Sequence, residues 1–407
     1  MKALLKLFLL LLAVVNLSFA QNANPTITTA KLSDNLYQFF IYINENNSVN
    51  VFASIGQDGI ILIDAGFSVT AELVKTELKK LSDKQVKWII NTHYDGDHTL
   101  GNAYLGTNAS IISHELCRSR LLAYTNFPQG GLPGITFFDS AKIFFNGEEI
   151  CLKYLPGHTN ADIIVSFKNA NLVFVGDLVF ADSFPLLQPD GNVYSLEKNL
   201  TLLSKSLSAN TRIFPGHGRE LNSKELNTYI EMVTQTKNLA LKSIKEGNVP
   251  AESKKNKILK EWDKWNSKIF PGQITTDSWI DNLYSSLDEG KEMSAYPILK
   301  KTYDQSGCDA MITKYNEICS SKKQYFIETD FNNWGYALLA EQKASDAINV
   351  FQINTNEFPA SANAFDSLGE AYMIAGNKEL AIKNYEKSLE LNPNNTNAAE
   401  QLKILNK

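Results

Sequence analysis

The sequence predicts an α/β protein, two packed sheets with helices on their outer faces in a four-layer αββα sandwich, followed by an all-α region ending in short helical repeats. Three observations carry this. Short runs rich in Ile, Val and Phe, each bounded by Gly, Asn, Asp or Pro, fill residues 26–220. Stretches of helical spacing, TAELVKTELKKLSDK and SLEKNLTLLSKSL, fall between them, in two similar halves. Beyond residue 222 glycine thins out, and near the C-terminus matching residues recur at a spacing of 34.

Taken in order, MKALLKLFLLLLAVVNLSFAQ opens with Lys2 and Lys6, continues as a leucine-rich core and reaches the small residues Ser18 and Ala20. This is the form of a signal peptide over residues 1–20, with Gln21 opening the mature chain. The apolar run is shorter than the ~20 residues that span a bilayer. The expected product is exported, periplasmic or secreted, with no membrane span in the mature chain. Export permits disulfides. Cys308 and Cys319 lie in one helical stretch, where a continuous helix sets them ~16 Å apart, beyond disulfide reach; a bridge there needs an intervening turn. Cys151, in EEICLKYL, is expected as a core thiol.

The strand-like runs are NLYQFFIYI, VNVFASIG, GIILIDAG, VKWIINT, ASIISH, AKIFFNG, ICLKYLPG, DIIVSF, NLVFVGD and TRIFPGHG. Many alternate apolar and polar residues, which predicts one sheet face more exposed than the other. This unit spans 26–225. A helical connecting region follows at 226–325, with ELNTYIEMVTQTKNLALKSIKEG and DSWIDNLYSSLDEG as amphipathic helices and a lysine-rich, solvated segment between them. Repeats occupy 326–407. There Gly335 and Gly369, Ala347 and Ala381, Phe351 and Tyr385, and Pro359 and Pro393 pair at the common spacing. The pattern resembles the tetratricopeptide repeat, in which Gly lets two helices approach while Ala and an aromatic pack between them. Such repeats offer a groove that a protein partner could fill; read singly, the same residues are core positions of a helical hairpin stack.

The chain of 407 residues has 39 basic and 44 acidic side chains, a net charge of −5. No basic surplus speaks for nucleic acid. The chemistry concentrates in NTHYDGDHTLGN, where His93, Asp95, Asp97 and His98 fall within six positions of a chain with five histidines. On one helix His93 and His98 would point about 140° apart, so the segment is expected as a loop after a strand, bent at Gly96. LPGHTNAD sets His158 on a Pro-Gly turn, LVFVGD sets Asp177 at a strand end, and IFPGHG sets His217 on another Pro-Gly turn. His114, in IISHELC, lacks that context and is expected to be structural.

His and carboxylate are the ligands zinc takes where a coordination position stays open for catalysis. In order and spacing these four pieces, over roughly residues 30–225, resemble the metallo-β-lactamase superfamily. The resemblance implies that His93, Asp95 and His158 hold one metal and Asp97, His98 and His217 a second, with Asp177 bridging. It further implies that Asp64, in GIILIDAG, orients the ligand loop. Two zinc ions per chain are then expected, with a metal-held hydroxide as nucleophile and Asp97 orienting it and shuttling its proton. The departure is Asp95, where the family usually has His. Three carboxylates and a hydroxide cancel the charge of two divalent ions, a harder donor set that tolerates Mn or Fe; the same change could instead mark a single-metal or degenerate site.

The implied function is hydrolysis of an acyl, ester, thioester or lactone bond in a small-molecule substrate. The rivals are a β-lactam hydrolase and a non-catalytic protein acting through its repeats. An aspartate rather than a cysteine at 177 resembles the family's thioester and lactone hydrolases, whereas export and LPGHTNADIIVSF resemble its lactamase-like members. Residues 125–138, TNFPQGGLPGITFF, either rim the site or simply connect.

Overall fold

The computed structural model describes residues 25–44, 47–124, 126–287, 293–321 and 324–405. The expected signal peptide lies outside them. The chain forms two compact units divided at residues 289/290.

The first unit begins with β1 (Thr26–Lys31), β2 (Leu36–Asn44), β3 (Asn47–Gly56) and β4 (Gly59–Ile63), an antiparallel meander. Helix α1 (Ala71–Leu81) returns the chain to β5 (Val86–Ile90), and β6 (Ser110–His114) and β7 (Ile135–Phe137) continue parallel, with α2 (Glu115–Ala123) between them. These seven strands form one sheet in chain order. The second sheet runs from β8 (Ser140–Phe145) through β9 (Glu148–Tyr154), β10 (Ile163–Phe167) and β11 (Leu172–Phe180) to β12 (Arg212–His217). Its last pair is parallel, joined over α3 (Val193–Ser206).

Three apolar layers explain the stacking. Ile61, Ile63, Ile90 and Ile112 of the first sheet meet Ile150, Leu152, Val165 and Phe174 of the second. Ile60, Leu62 and Ile89, on the opposite face of the first sheet, pack with Val74 and Leu78 of α1. Val173, Val175 and Ile213 turn outward to Leu196 and Leu200 of α3. The result is the αββα sandwich. The alternation expected of one more exposed sheet face is visible on β9, where Glu149, Cys151 and Lys153 are less buried than Glu148, Ile150 and Leu152, while β4 and β11 are buried along their whole length. Helices cover both outer faces, and exposure persists on strands at the sheet edges, such as β1 and β8.

The stretch read as one connecting region falls in both units. Helices α4 (Ser223–Lys245) and α5 (Thr276–Leu287) bury Tyr229, Met232, Trp279 and Leu283 in the outer core of the second sheet. Helix α6 (Ala295–Ser321) belongs to the second unit. It kinks at Gly307, where φ is 80°. The kink precedes Cys308, so Cys308 and Cys319 ride the same helical segment, and all four cysteines are free thiols.

The second unit continues with α7 (Glu328–Ala340), α8 (Ala344–Glu357), α9 (Ala362–Ile374), α10 (Lys378–Leu391) and α11 (Thr396–Leu405). The repeat logic is visible in contacts. A Cβ on Gly335 would lie 2.4 Å from the Phe351 ring, and one on Gly369 3.1 Å from Tyr385. Each glycine therefore marks a close approach within its helical pair. Ala398 and Leu402 of α11 close over Tyr385. No helix among the described residues is long and apolar enough to cross a membrane.

Candidate metal centre

The expected ligands gather at one end of the sandwich, in the C-terminal part of the strands that carry them or just beyond it. After β5 the chain bends at Thr92 and His93, then makes a single helical turn, Gly96–Thr99, with Asp95 at its N-cap. His98 and Asp97 thus sit on a helical turn, not on a loop throughout. His158 follows β9 in a tight bend, whereas His217 closes strand β12 itself. Asp177 lies within β11, at an irregularity in its pairing with β12. Beside it Gly216 is required: a Cβ there would sit 2.1 Å from Asp177 Oδ1 and 2.7 Å from His98 Cε1.

The donors form two groups, His93, Asp95, His158 and Asp177, and Asp97, His98 and His217, with ligand atoms within 4.8 Å of one another in each. In the first, Asp95 Oδ2 is 3.2 Å from His158 Nε2 and 3.7 Å from His93 Nε2. In the second, Asp97 Oδ2 is 3.2 Å from His217 Nε2 and 3.7 Å from His98 Nε2. Asp177 reaches both: Oδ2 is 3.8 Å from His93 and His158 and 3.3 Å from His217, and Oδ1 is 3.4 Å from His98. Tetrahedral zinc with ligands near 2.1 Å has donor–donor edges of ~3.4 Å, so the spacing fits a metal in each group.

The imidazoles are oriented from behind. His98 Nδ1–H donates to Asp64 Oδ2 at 2.8 Å, and His158 Nδ1–H to the Leu186 carbonyl at 2.7 Å. His217 Nδ1–H donates to the Ser48 carbonyl. Thr92 spends its hydroxyl hydrogen on Asp64 at 2.8 Å and so accepts from His93 Nδ1–H at 3.0 Å. Each Nε2 lone pair therefore faces the site, the arrangement metal-bound histidines adopt. His93 Nε2 and Asp177 Oδ1 are buried with no hydrogen-bond partner. His98 and His217 bring their Nε2 atoms to 3.4 Å. Two lone pairs so close need a cation or a proton between them. The donor set thus fits divalent metal.

With protons alone, the groups pair strongly. Burial would raise the Asp95 carboxyl, but hydrogen bonds from His158 and His93 hold it well below the usual carboxylate range. Burial works on Asp177 in the same sense and is outweighed by His217 and His98. Burial would lower His158 and His217, yet the facing carboxylates push both up to about 10. His114 is the converse. It accepts from Leu116 N–H through Nδ1, donates to the Phe138 carbonyl at 2.7 Å through Nε2, and stacks on Tyr154. Burial pushes it down to about 3. It is a neutral structural histidine, as expected.

Asp64 takes the expected role: its Oδ1 also accepts from Thr92 N–H at 2.8 Å. Other contributors were invisible in the sequence. Gln188 Nε2 donates to Asp95 Oδ2 at 2.6 Å. Asp190 accepts from Tyr94 Oη at 2.6 Å and Arg120 Nε at 2.8 Å. Asp162 accepts from the Gly157 and Thr159 amides, each at 2.9 Å, and so shapes the His158 bend. Of residues 125–138, Ile135–Phe137 forms the edge strand β7, and Gly131 offers its carbonyl to Asn102 just behind the His98 turn.

The family pattern of the metallo-beta-lactamase superfamily matches residues 45–217, and that of the tetratricopeptide repeat matches residues 367–395. Among curated relatives, a hydroxyacylglutathione hydrolase from Nitrosococcus oceani is 30% identical over 33% of this chain and 49% of its own length. The Methanocaldococcus jannaschii protein named "Probable metallo-hydrolase" is 29% identical over 46% of this chain and 94% of its own. The chain spans about half the length of the hydroxyacylglutathione hydrolases it matches, 49% and 57% for two of them. A solved metallo-beta-lactamase from Pontibacter korlensis is 19% identical, covers 51% of this chain and 99% of its own, and has a TM-score of 0.47. The first unit carries a metallo-β-lactamase superfamily domain, and the second a tetratricopeptide repeat.

Proposed function

We propose that the first unit is a binuclear metal-dependent hydrolase acting on a small acyl substrate, with a thioester, ester or lactone carbonyl as the bond attacked. The observation that carries this is the convergence of two donor groups on Asp177, whose buried Oδ1 accepts no hydrogen bond among the described residues. His93, Asp95 and His158 would hold one metal, and Asp97, His98 and His217 the other. Zinc is the expected occupant, two per chain, and the carboxylate-rich set admits Mn or Fe.

The chemistry such a pair supplies is Lewis acidity, which eases deprotonation of a water and polarises a carbonyl. The chain's own part is orientation and proton handling. Asp97 is the most open of the three carboxylates, 21% exposed against 15% for Asp95 and 4% for Asp177. It stands where it can take the proton of an attacking water and return it to a leaving group. Asp64 and Thr92 fix His98 and His93 without touching substrate. An aspartate at 177, together with relatives named for hydroxyacylglutathione hydrolysis, supports the acyl class over β-lactams.

The test is turnover of an S-acylglutathione thioester, a simple lactone, a carboxylate ester and a β-lactam, with His98→Ala as background. The reading predicts thioester, ester or lactone hydrolysis at least about 100-fold above that background. Turnover of the β-lactam alone, or of none, contradicts it. The proposal includes export, on the leader-like form of residues 1–20. Recovery of mature chain beginning at Gln21 outside the cytoplasm would support that part; an intact Met1 on cytoplasmic protein would remove it.

A further inference from the structure

Asp95 is where this chain leaves its family, and the structure places a second unusual contact on the same carboxylate. An aspartate is shorter than a histidine and can swing about its last torsion, so it needs a fixed partner to serve as a dependable ligand. Gln188 supplies one, with Nε2 2.6 Å from Asp95 Oδ2.

Gln188 is itself held by the segment between β11 and α3. Its amide N–H donates to the His158 carbonyl at 2.9 Å, and its own carbonyl accepts from Gly191 N–H at 2.8 Å. Two residues before it, Leu186 accepts from His158 Nδ1–H; two residues after it, Asp190 takes the Tyr94 hydroxyl. One segment thus braces His158, Asp95 and the residue preceding Asp95.

We infer that Gln188 is a positioning residue that makes Asp95 a metal ligand, so that the two side chains together replace the family's histidine in the first donor group. The inference rests on the binuclear reading above and extends it to metal binding itself. Partners that orient ligands are typically worth 10–100-fold in metal affinity. That loss should fall on one metal only, because Gln188 has no hydrogen bond to Asp97, His98 or His217 among the described contacts.

The experiment is a cobalt(II) titration of the full chain, following the ligand-field bands and competing with a chelator. It compares wild type, Gln188→Met, Asp95→His and the double variant, each checked for fold by circular dichroism. Wild type should bind two equivalents. Gln188→Met should bind one of them 10–100-fold more weakly, with a changed band for that site, and the other with unchanged affinity. In the Asp95→His background the same substitution should be silent, since the histidine no longer needs the amide. Unchanged affinities in Gln188→Met overturn the inference while the binuclear reading stands. An equal loss in both backgrounds also overturns it, by making Gln188 merely structural. No binding by wild type sinks the binuclear reading and the inference together.

Discussion

The two donor groups share Asp177 but are anchored on different parts of the fold. In the second group His98 leans on Asp64, just past β4, and His217 on the carbonyl of Ser48 in β3. Both supports stand on or just past the largely buried strands β3 and β4 of the first sheet. In the first group His158 leans on Leu186 and Asp95 on Gln188, both in the connection from β11 to α3. Connecting segments accept sequence change more readily than strands do. The group built on one is also the group in which the ligand set has changed. Thr92 and Asp64 tie the two together, since Thr92 backs His93 while Asp64 backs His98.

Breaking the shared element should have the largest effect. Asp177→Ala removes the bridge, and turnover should fall ~1,000-fold, about 4 kcal/mol, with the content of both metals reduced. Turnover within tenfold of wild type would show that the groups do not depend on a common ligand. Asp64→Ala is next. It leaves His98 Nδ1–H and Thr92 unsupported, and metal affinity should drop 10–100-fold, chiefly at the second group; the same chelator competition reads it. A loss confined to the first group would reverse the anchoring scheme.

His114 sharpens the contrast between a histidine aimed at metal and one sealed in a core. Its folded pKa of about 3 lies below its ordinary 6.5. The unfolded chain therefore binds the extra proton between those values. The stability His114 contributes is complete above pH 6.5 and is lost as pH falls towards 3. Between pH 6.5 and 5 the loss is at most about 2 kcal/mol. Denaturant titrations of metal-free His114→Asn should show a pH slope shallower by up to one proton, on a lower baseline. Identical slopes would mean that His114 protonates without unfolding. Least consequential for chemistry is Gly335→Ala. Its methyl would meet the buried Phe351 ring, and the repeats should lose about 1–3 kcal/mol while turnover stays unchanged. Thermal melts and a rate assay on the same sample decide it.

Much of this was legible in the sequence because strand-end turns announce themselves with glycine, proline and apolar runs. HYDGDH, PGH, GD and PGH could be set on strand ends before any coordinate was known, and so could Asp64. The spacing of Gly335, Phe351, Gly369 and Tyr385 likewise gave the repeat contacts. What stayed hidden has one physical cause: orientation by partners distant in sequence. Leu186 and Ser48 act through backbone carbonyls, which no side-chain identity reveals. Gln188 lies 93 positions from Asp95 and carries no motif. The helices after residue 222 looked like a connector because amphipathic spacing shows that a face is buried, not what buries it. Strand alternation was a true guide on β9, whereas helices over the outer faces hide it on β4 and β11.

That Asp95 keeps this a two-metal site is read most directly from metal content per chain of the purified protein, by mass spectrometry of the metals. About two equivalents of zinc, manganese or iron are expected, falling to about one in Gln188→Met after dialysis against chelator. One equivalent in wild type would show that Asp95 has cost the first group its metal, and none after reconstitution would contradict the hydrolase reading altogether.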